Sequence, residues 1–260
     1  MTDINKYKSG SFCWVELATS DQTAAKKFYG SLFGWVPNDM PMGPAGAYTF
    51  FRLNGRDAAA GYTLMKEQQG VPPHWDLYVA VDSADTAAAR AAEAGGTVIK
   101  PAFDVFDVGR MAVLQDPTGA YFCVWQAKQQ ANSISGVDGS LCWADLNTPD
   151  PARAGKFYSH VFGWRMIEDT KQKPPSGYLH IKNGEDLIGG IPAVRPNNPR
   201  MPAHWLAYFL ISNCDATVAK AKQLGARSYL EPLTMENVGR FAILADPQGA
   251  VFAIFQPPAK

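Results

Sequence analysis

The chain has 260 residues, of which 47% are hydrophobic and 18% charged. That is the composition of a globular protein with a substantial core, and it excludes a disordered chain. Lysine plus arginine and aspartate plus glutamate both number 24, so the formal charge is zero and the basic footprint of a nucleic-acid or anionic-membrane binder is missing. No apolar run reaches the ~20 residues that span a bilayer. The opening MTDINKYKSG has no apolar stretch, so no secretory leader is expected. Cys13, Cys123, Cys142 and Cys214 show no CxxC spacing, which argues against a zinc ribbon or disulfide scaffold and for a reduced, cytoplasmic protein.

In chain order, residues 12–18 read as a strand, with Trp14, Glu16 and Ala18 on one face and Cys13, Val15 and Leu17 on the other. Asp21 is a helix cap. Ala25, Phe28, Tyr29, Leu32 and Phe33 then form one apolar helical face, which Gly34 closes. Residues 47–53 and 58–65 are strands joined at Asn54-Gly55. A second cycle follows: strand 75–81, helix 83–94, and strands near 97–101, 110–115 and 120–126, with a turn at Asp116-Pro117-Thr118-Gly119. The order is βαβββ, twice, which predicts an α+β class.

The whole pattern then returns. SFCWVELATSDQTAAKKFYGSLFGW, from Ser11, recurs 129 residues later as SLCWADLNTPDPARAGKFYSHVFGW, with Asp150 and Pro151 opening the helix and Ala154, Phe157, Tyr158, Val161 and Phe162 repeating its face. PPHWDLYVAV recurs 130 residues on as PAHWLAYFLI, and VGRMAVLQDPTGAYFCVWQ as VGRFAILADPQGAVFAIFQ. A period this long marks a duplicated domain, not a solenoid. The expected division is residues 1–127, a polar linker at 128–138, and residues 139–260.

Asp21…Phe28-Tyr29…Phe33-Gly34-Trp35 after the first strand, and Asp-Pro-x-Gly before the last, resemble the vicinal oxygen chelate superfamily of glyoxalases, bleomycin-resistance proteins and extradiol dioxygenases. The resemblance implies tandem domains, each of paired βαβββ modules forming a U-shaped mixed sheet with helices outside. It also implies an intrachain pseudo-dimer. Enzymatic members carry a divalent metal held by His, Gln and Glu from the first, fourth, fifth and eighth strands. By that resemblance the slots here are Trp14, residues 58–63, Asp76 and Cys123, and then Trp143, residues 187–194, Leu206 and Ala253. Indole, methyl and isobutyl groups cannot coordinate a metal, and Asp76 with Cys123 is a mismatched pair. No metal and no cofactor is therefore expected.

Period two, in the family's register, turns another set toward the cavity: Trp14, Glu16, His74, Asp76, Tyr78, Tyr121, Cys123 and Trp125 in the first copy, and Trp143, Asp145, His204, Tyr208 and Phe255 in the second. Rings with a few polar groups suit a planar or partly apolar small molecule. A carboxylate inside a sheet needs a partner or a raised pKa. His74 and His204 are candidate partners for Glu16 and Asp145, and Arg110 and Arg240 are the structural alternative. Trp14 and Trp143 as core filler, histidines at a wet strand mouth, and Cys13 and Cys142 as small buried hydrophobes are the plainer readings. The favoured expectation is a metal-free small-molecule binder that contacts neither nucleic acid nor membrane, with no catalytic residue named. The alternatives are a lyase, isomerase or dioxygenase acting on a small carbonyl or aromatic compound, and a protein-interaction role with filled cavities.

Overall fold

A computed structural model describes residues 7–43, 46–68, 70–168, 177–193 and 202–258. The first copy runs β1 (Phe12–Thr19), α1 (Gln22–Phe33), β2 (Val36–Pro41), β3 (Ala47–Leu53), β4 (Arg56–Thr63), β5 (His74–Ala80), α2 (Ala84–Glu93), β6 (Thr97–Val105), β7 (Gly109–Gln115) and β8 (Tyr121–Ala127). The second runs β9 (Leu141–Asn147), α3 (Pro151–Phe162), β10 (Arg165–Glu168), β11 (Leu179–Asn183), β12 (Asp186–Ile191), β13 (His204–Leu210), α4 (Cys214–Gln223), β14 (Arg227–Met235), β15 (Gly239–Ala245) and β16 (Val251–Gln256). Each copy builds its own eight-stranded mixed sheet, in the order β2-β3-β4-β1-β5-β8-β7-β6 and its twin β10-β11-β12-β9-β13-β16-β15-β14. The chain is thus an α+β protein of two tandem domains. None of the helices among the described residues is long and apolar enough to cross a membrane.

Local signals account for the helices. The Asp21 carboxylate accepts the Ala24 N–H at 2.9 Å, and Gly34 closes α1 at φ 74°, where a side chain would be strained. Asp150, Pro151 and Gly163 do the same for α3. Residues 36–41 carry no alternation, and two prolines flank a polar stretch. They become an edge strand through pairing with β3, a tertiary cause invisible in the segment itself.

The helix-bearing faces of the two sheets pack against each other. α1 lies against α4 and α2 against α3. One continuous core runs through both halves: Phe33, Trp35 and Trp75 meet Phe209, while Phe12 meets Trp164 and Trp205. The two copies bury their apolar faces mutually, which fits the expected intrachain pseudo-dimer. Residues 128–138 are also no free tether. Asp57 pairs its backbone with Asn132 and Ile134, Arg56 donates to the Ser133 carbonyl, and Ile134 enters the core.

Side-chain bonds cross this core. The Asp116 Oδ1 caps its own turn, accepting the N–H groups of Thr118, Gly119 and Ala120 at 2.7–3.1 Å, while its Oδ2 accepts the Tyr158 hydroxyl of the other half at 3.0 Å. Asp246 repeats this with Gln248, Gly249 and Ala250, and with Tyr29 at 2.9 Å. Each hydroxyl also accepts an indole N–H of its own half, from Trp205 at 2.8 Å and Trp75 at 3.2 Å. Trp35 and Trp164 donate across to the Gly139 and Gly10 carbonyls.

Removing either hydroxyl strands a buried carboxylate oxygen and an indole N–H together. Tyr29→Phe and Tyr158→Phe are each expected to cost about 2–3 kcal/mol in urea denaturation. A loss below about 0.5 kcal/mol would show that water replaces the bond.

Candidate functional site

The opposite face of each sheet carries the candidate site, and register assembles it. β1 runs antiparallel to β5 with Trp14 beside Tyr78, Glu16 beside Asp76 and Ala18 beside His74. β8 runs parallel to β5 with Cys123 beside Tyr78 and Trp125 beside Ala80. Tyr78 and Cys123 form a buried floor, against which Trp14 packs from one side and Met111, Val113 and Trp125 from the other. Glu16 stands on this face of the sheet, away from the main core, and is nevertheless only 7% exposed.

The alternation in β1 fails at one point. The register shifts between Phe12 and Trp14, a bulge that sends Phe12 into the core and leaves Cys13 packed with Tyr78, Ala80 and Cys123 on the hollow side. The expected placement of Cys13 with Val15 and Leu17 is therefore corrected. Cys142 repeats this beside Tyr208, because the same shift recurs at Leu141.

Glu16 is held by tyrosines, neither by a histidine nor by an arginine. The Tyr78 hydroxyl donates to its Oε2 at 2.6 Å, and Tyr48 of β3, which Trp14 adjoins, lies near enough to favour its charged form. Burial pushes the Glu16 carboxyl up to about 7; the tyrosine bonds and His74 oppose that rise, while Asp76 adds to it. In the second copy Asp145 accepts Tyr178 at 2.6 Å, Tyr208 at 2.8 Å and the Trp143 indole at 3.0 Å, and Trp143 also reaches Tyr178. Burial raises its pKa too, against those three bonds. The arginines are engaged elsewhere. Arg110 clasps Asp85 at the start of α2 with two bonds, and Arg240 clasps Asp215 at the start of α4. An arginine at the start of its strand reaches the adjacent helix end more readily than the hollow, which corrects that alternative.

His74 bonds the Pro72 carbonyl through Nδ1 at 2.8 Å, which makes that nitrogen the donor and turns Nε2 to Asp76 at 3.4 Å. Desolvation lowers its pKa, but the Asp76 carboxylate outweighs it and the group ends at about 9. His204 makes the same bond to Pro202 at 2.8 Å, with Leu206 where the first copy has Asp76. Trp125 and Phe255 pack on the two floors, half-buried. Tyr121 is different: it stands at the outer end of β8 and is 52% exposed, so it lines no enclosed wall.

Tyr48 and Tyr178 were not legible as site residues. Tyr48 follows Gly46-Ala47 and Tyr178 follows Gly177, and each precedes an Asn-Gly turn in its copy, a fourth repeated block that a one-residue length difference blurs. Trp14, Tyr48 and Phe50 form an aromatic wall, with Trp14–Phe50 centroids 6.2 Å apart and Tyr48–Phe50 5.1 Å. Tyr178 and His180 stand beside Trp143 in the second.

The metal slots do not fit a divalent ion. Trp14 and Trp143 are indoles, residues 58–63 and 187–191 supply no His, Gln or Glu, and Leu206 and Ala253 have no donor atom; position 194 lies outside the described residues. Among the described residues no three His, Cys, Asp or Glu side chains are grouped as metal ligands.

Comparison with known proteins agrees with this architecture. A family described as "Glyoxalase-like domain" matches residues 14–125, and "Glyoxalase/Bleomycin resistance protein/Dioxygenase superfamily" matches residues 140–254. The chain belongs to this superfamily. It is 40% identical to "Putative glyoxylase CFP32" of Mycobacterium tuberculosis over 262 residues, covering 99% of this chain and 98% of that protein. It is 33% identical to "Anthracycline biosynthesis protein DauV" of Streptomyces sp. (strain C5), covering 97% and 95%. Among solved structures, the 2,3-dioxygenase LapB from Pseudomonas sp. KL28 superposes with a TM-score of 0.67 at 15% identity, covering 97% of this chain and 94% of that one. The Mn(II)-bound glyoxalase from Novosphingobium aromaticivorans gives 0.65 at 17%, covering 96% and 82%. At these identities the structures share the fold alone.

The raised carboxyl has a signed consequence for stability. The unfolded chain gives up this proton near the ordinary 4.5 and the folded chain near 7. Between those values the unfolded state binds fewer protons, so stability falls as pH rises. The loss totals about 3 kcal/mol. His74 acts over a later window: its contribution is complete below 6.5 and is lost as pH rises through about 9. Glu16→Gln is therefore expected to gain on wild type by about 3 kcal/mol between pH 4.5 and roughly pH 8. Urea denaturation across that range checks it; a constant difference would mean that the carboxyl titrates normally.

Proposed function

We propose that the protein binds a planar, partly apolar small molecule in the hollows of its two sheets, without a metal. One observation carries this reading. In both halves the first-strand metal slot of the superfamily holds a tryptophan, and that tryptophan belongs to a buried carboxyl–tyrosine cluster at the floor of an aromatic hollow. Half-buried rings supply area for stacking. The carboxyl and hydroxyls supply the few polar contacts that orient a ligand. Trp14, Glu16, His74, Asp76, Tyr78 and Trp125 would contact it in the first copy, and Trp143, Asp145, His204 and Tyr208 in the second, with Tyr48 and Tyr178 added to each. Tyr121 would touch only a ligand that protrudes from the hollow. The relative named for anthracycline biosynthesis supports this class of ligand, because anthracyclines are fused-ring aromatics.

A second reading is proton-transfer catalysis on such a ligand. It is favoured by Glu16, whose pKa of about 7 suits a group that both takes and gives a proton near neutrality. A pH–rate profile with one limb near 7 that vanishes in Glu16→Gln would mark it.

Calorimetry with a panel of fused-ring aromatics tests the binding reading. Trp14→Ala is expected to weaken binding about tenfold at the first hollow, and Trp143→Ala equally at the second. Binding by no member of the panel, or affinities indifferent to both substitutions, would overturn it.

A further inference from the structure

We propose that the first hollow selects a planar aromatic ligand bearing a protonated amine, which sets its charge between Glu16 and Asp76 and against the rings of Trp14, Tyr48 and Phe50. This rests on reading the hollow as a binding site, and it names the chemistry of what enters.

Two features of the geometry converge. First, charge is unbalanced. Glu16 and Asp76 are direct cross-strand neighbours, and His74, 3.4 Å from Asp76, is a cation that bears on both. The arginines of this sheet are committed elsewhere: Arg52 to Asp57, Arg56 to the Ser133 carbonyl, Arg110 to Asp85 and Asp104. Lys100 lies over the Phe103 ring at 4.0 Å. The other titratable groups bearing on Glu16 and Asp76 are neutral at physiological pH: Tyr48 from β3, Tyr62 from β4, Tyr78 from β5 and Cys123 from β8. Second, the wall beside the carboxyl is a cluster of three aromatic rings. Ring faces next to a partly desolvated anion are the surroundings in which an ammonium group gains from both. The second copy serves as an internal contrast. Leu206 stands beside Asp145 where Asp76 stands beside Glu16, so the second hollow carries one carboxyl fewer.

An arriving cation favours the Glu16 carboxylate over its protonated form. Binding near pH 7 should therefore release about half a proton from Glu16, because that carboxyl is about half protonated beforehand.

The test uses two flat three-ring probes of similar size, proflavine as the cation and acridone as the neutral compound. Each is titrated calorimetrically into the full chain at pH 7 in two buffers of different ionisation enthalpy. Expected are proflavine binding about tenfold tighter than acridone and proton release with proflavine alone. Glu16→Gln should abolish the release and most of the preference, and Asp76→Asn should reduce the preference while keeping the release. Circular dichroism confirms that each variant is folded. Equal binding of both probes with no proton released would overturn the amine selection while leaving the planar-ligand reading intact. Binding of neither probe would overturn both readings, and binding of acridone alone would overturn the amine selection.

Discussion

Two buried tyrosine hydroxyls hold the molecule in its present form. Tyr29 and Tyr158 each donate to an aspartate of the other half while accepting an indole N–H of their own. Those aspartates are already saturated on their second oxygen by three backbone N–H groups of the turn they cap. A carboxylate so placed cannot be shifted without exposing unpaired donors in an apolar interior. The hydroxyls therefore fix the position of one sheet relative to the other as well as adding stability.

That constraint decides where a ligand could go. Because the two sheets bury their helix-bearing faces together, the core consumes Phe28, Tyr29, Trp35, Trp75 and their twins, rings that would otherwise be candidates for recognition. The opposite faces are left to carry Glu16 and Asp145. The bulges at Cys13 and Cys142 mark the division, letting a single strand contribute Phe12 to the core and Trp14 to the hollow. Duplication then delivers the same cluster twice, with Asp76 against Leu206, Cys123 against Ala253 and Phe50 against His180 among its differences.

The electrostatics follow from which cations are used up. Arg110 and Arg240 neutralise the acidic residues at the starts of α2 and α4, where an aspartate already suits the helix dipole. The buried carboxyls of the hollows are thus left with hydroxyl and indole donors, which stabilise a negative charge less than a guanidinium does. The result in the first copy is a floor group that changes protonation near neutrality.

The duplication, the capped helices and the period-two faces were settled by the sequence alone, because each rests on residues a few positions apart or on blocks recurring at one interval. Trp14 with Glu16, and Asp76 with Tyr78, were placed together on their strands for that reason, while their common face came from the family resemblance; the local alternation also explains the error at Cys13, since a bulge leaves no mark in a pattern of apolar residues. What belongs to the tertiary structure alone is partnership. Tyr48 reaches Glu16, Tyr158 reaches Asp116 and Arg110 turns to Asp85 because strand order and register bring together groups far apart in the chain. A tyrosine that fills a core and one that holds a carboxylate are identical in sequence; only the neighbour that receives the hydroxyl proton tells them apart.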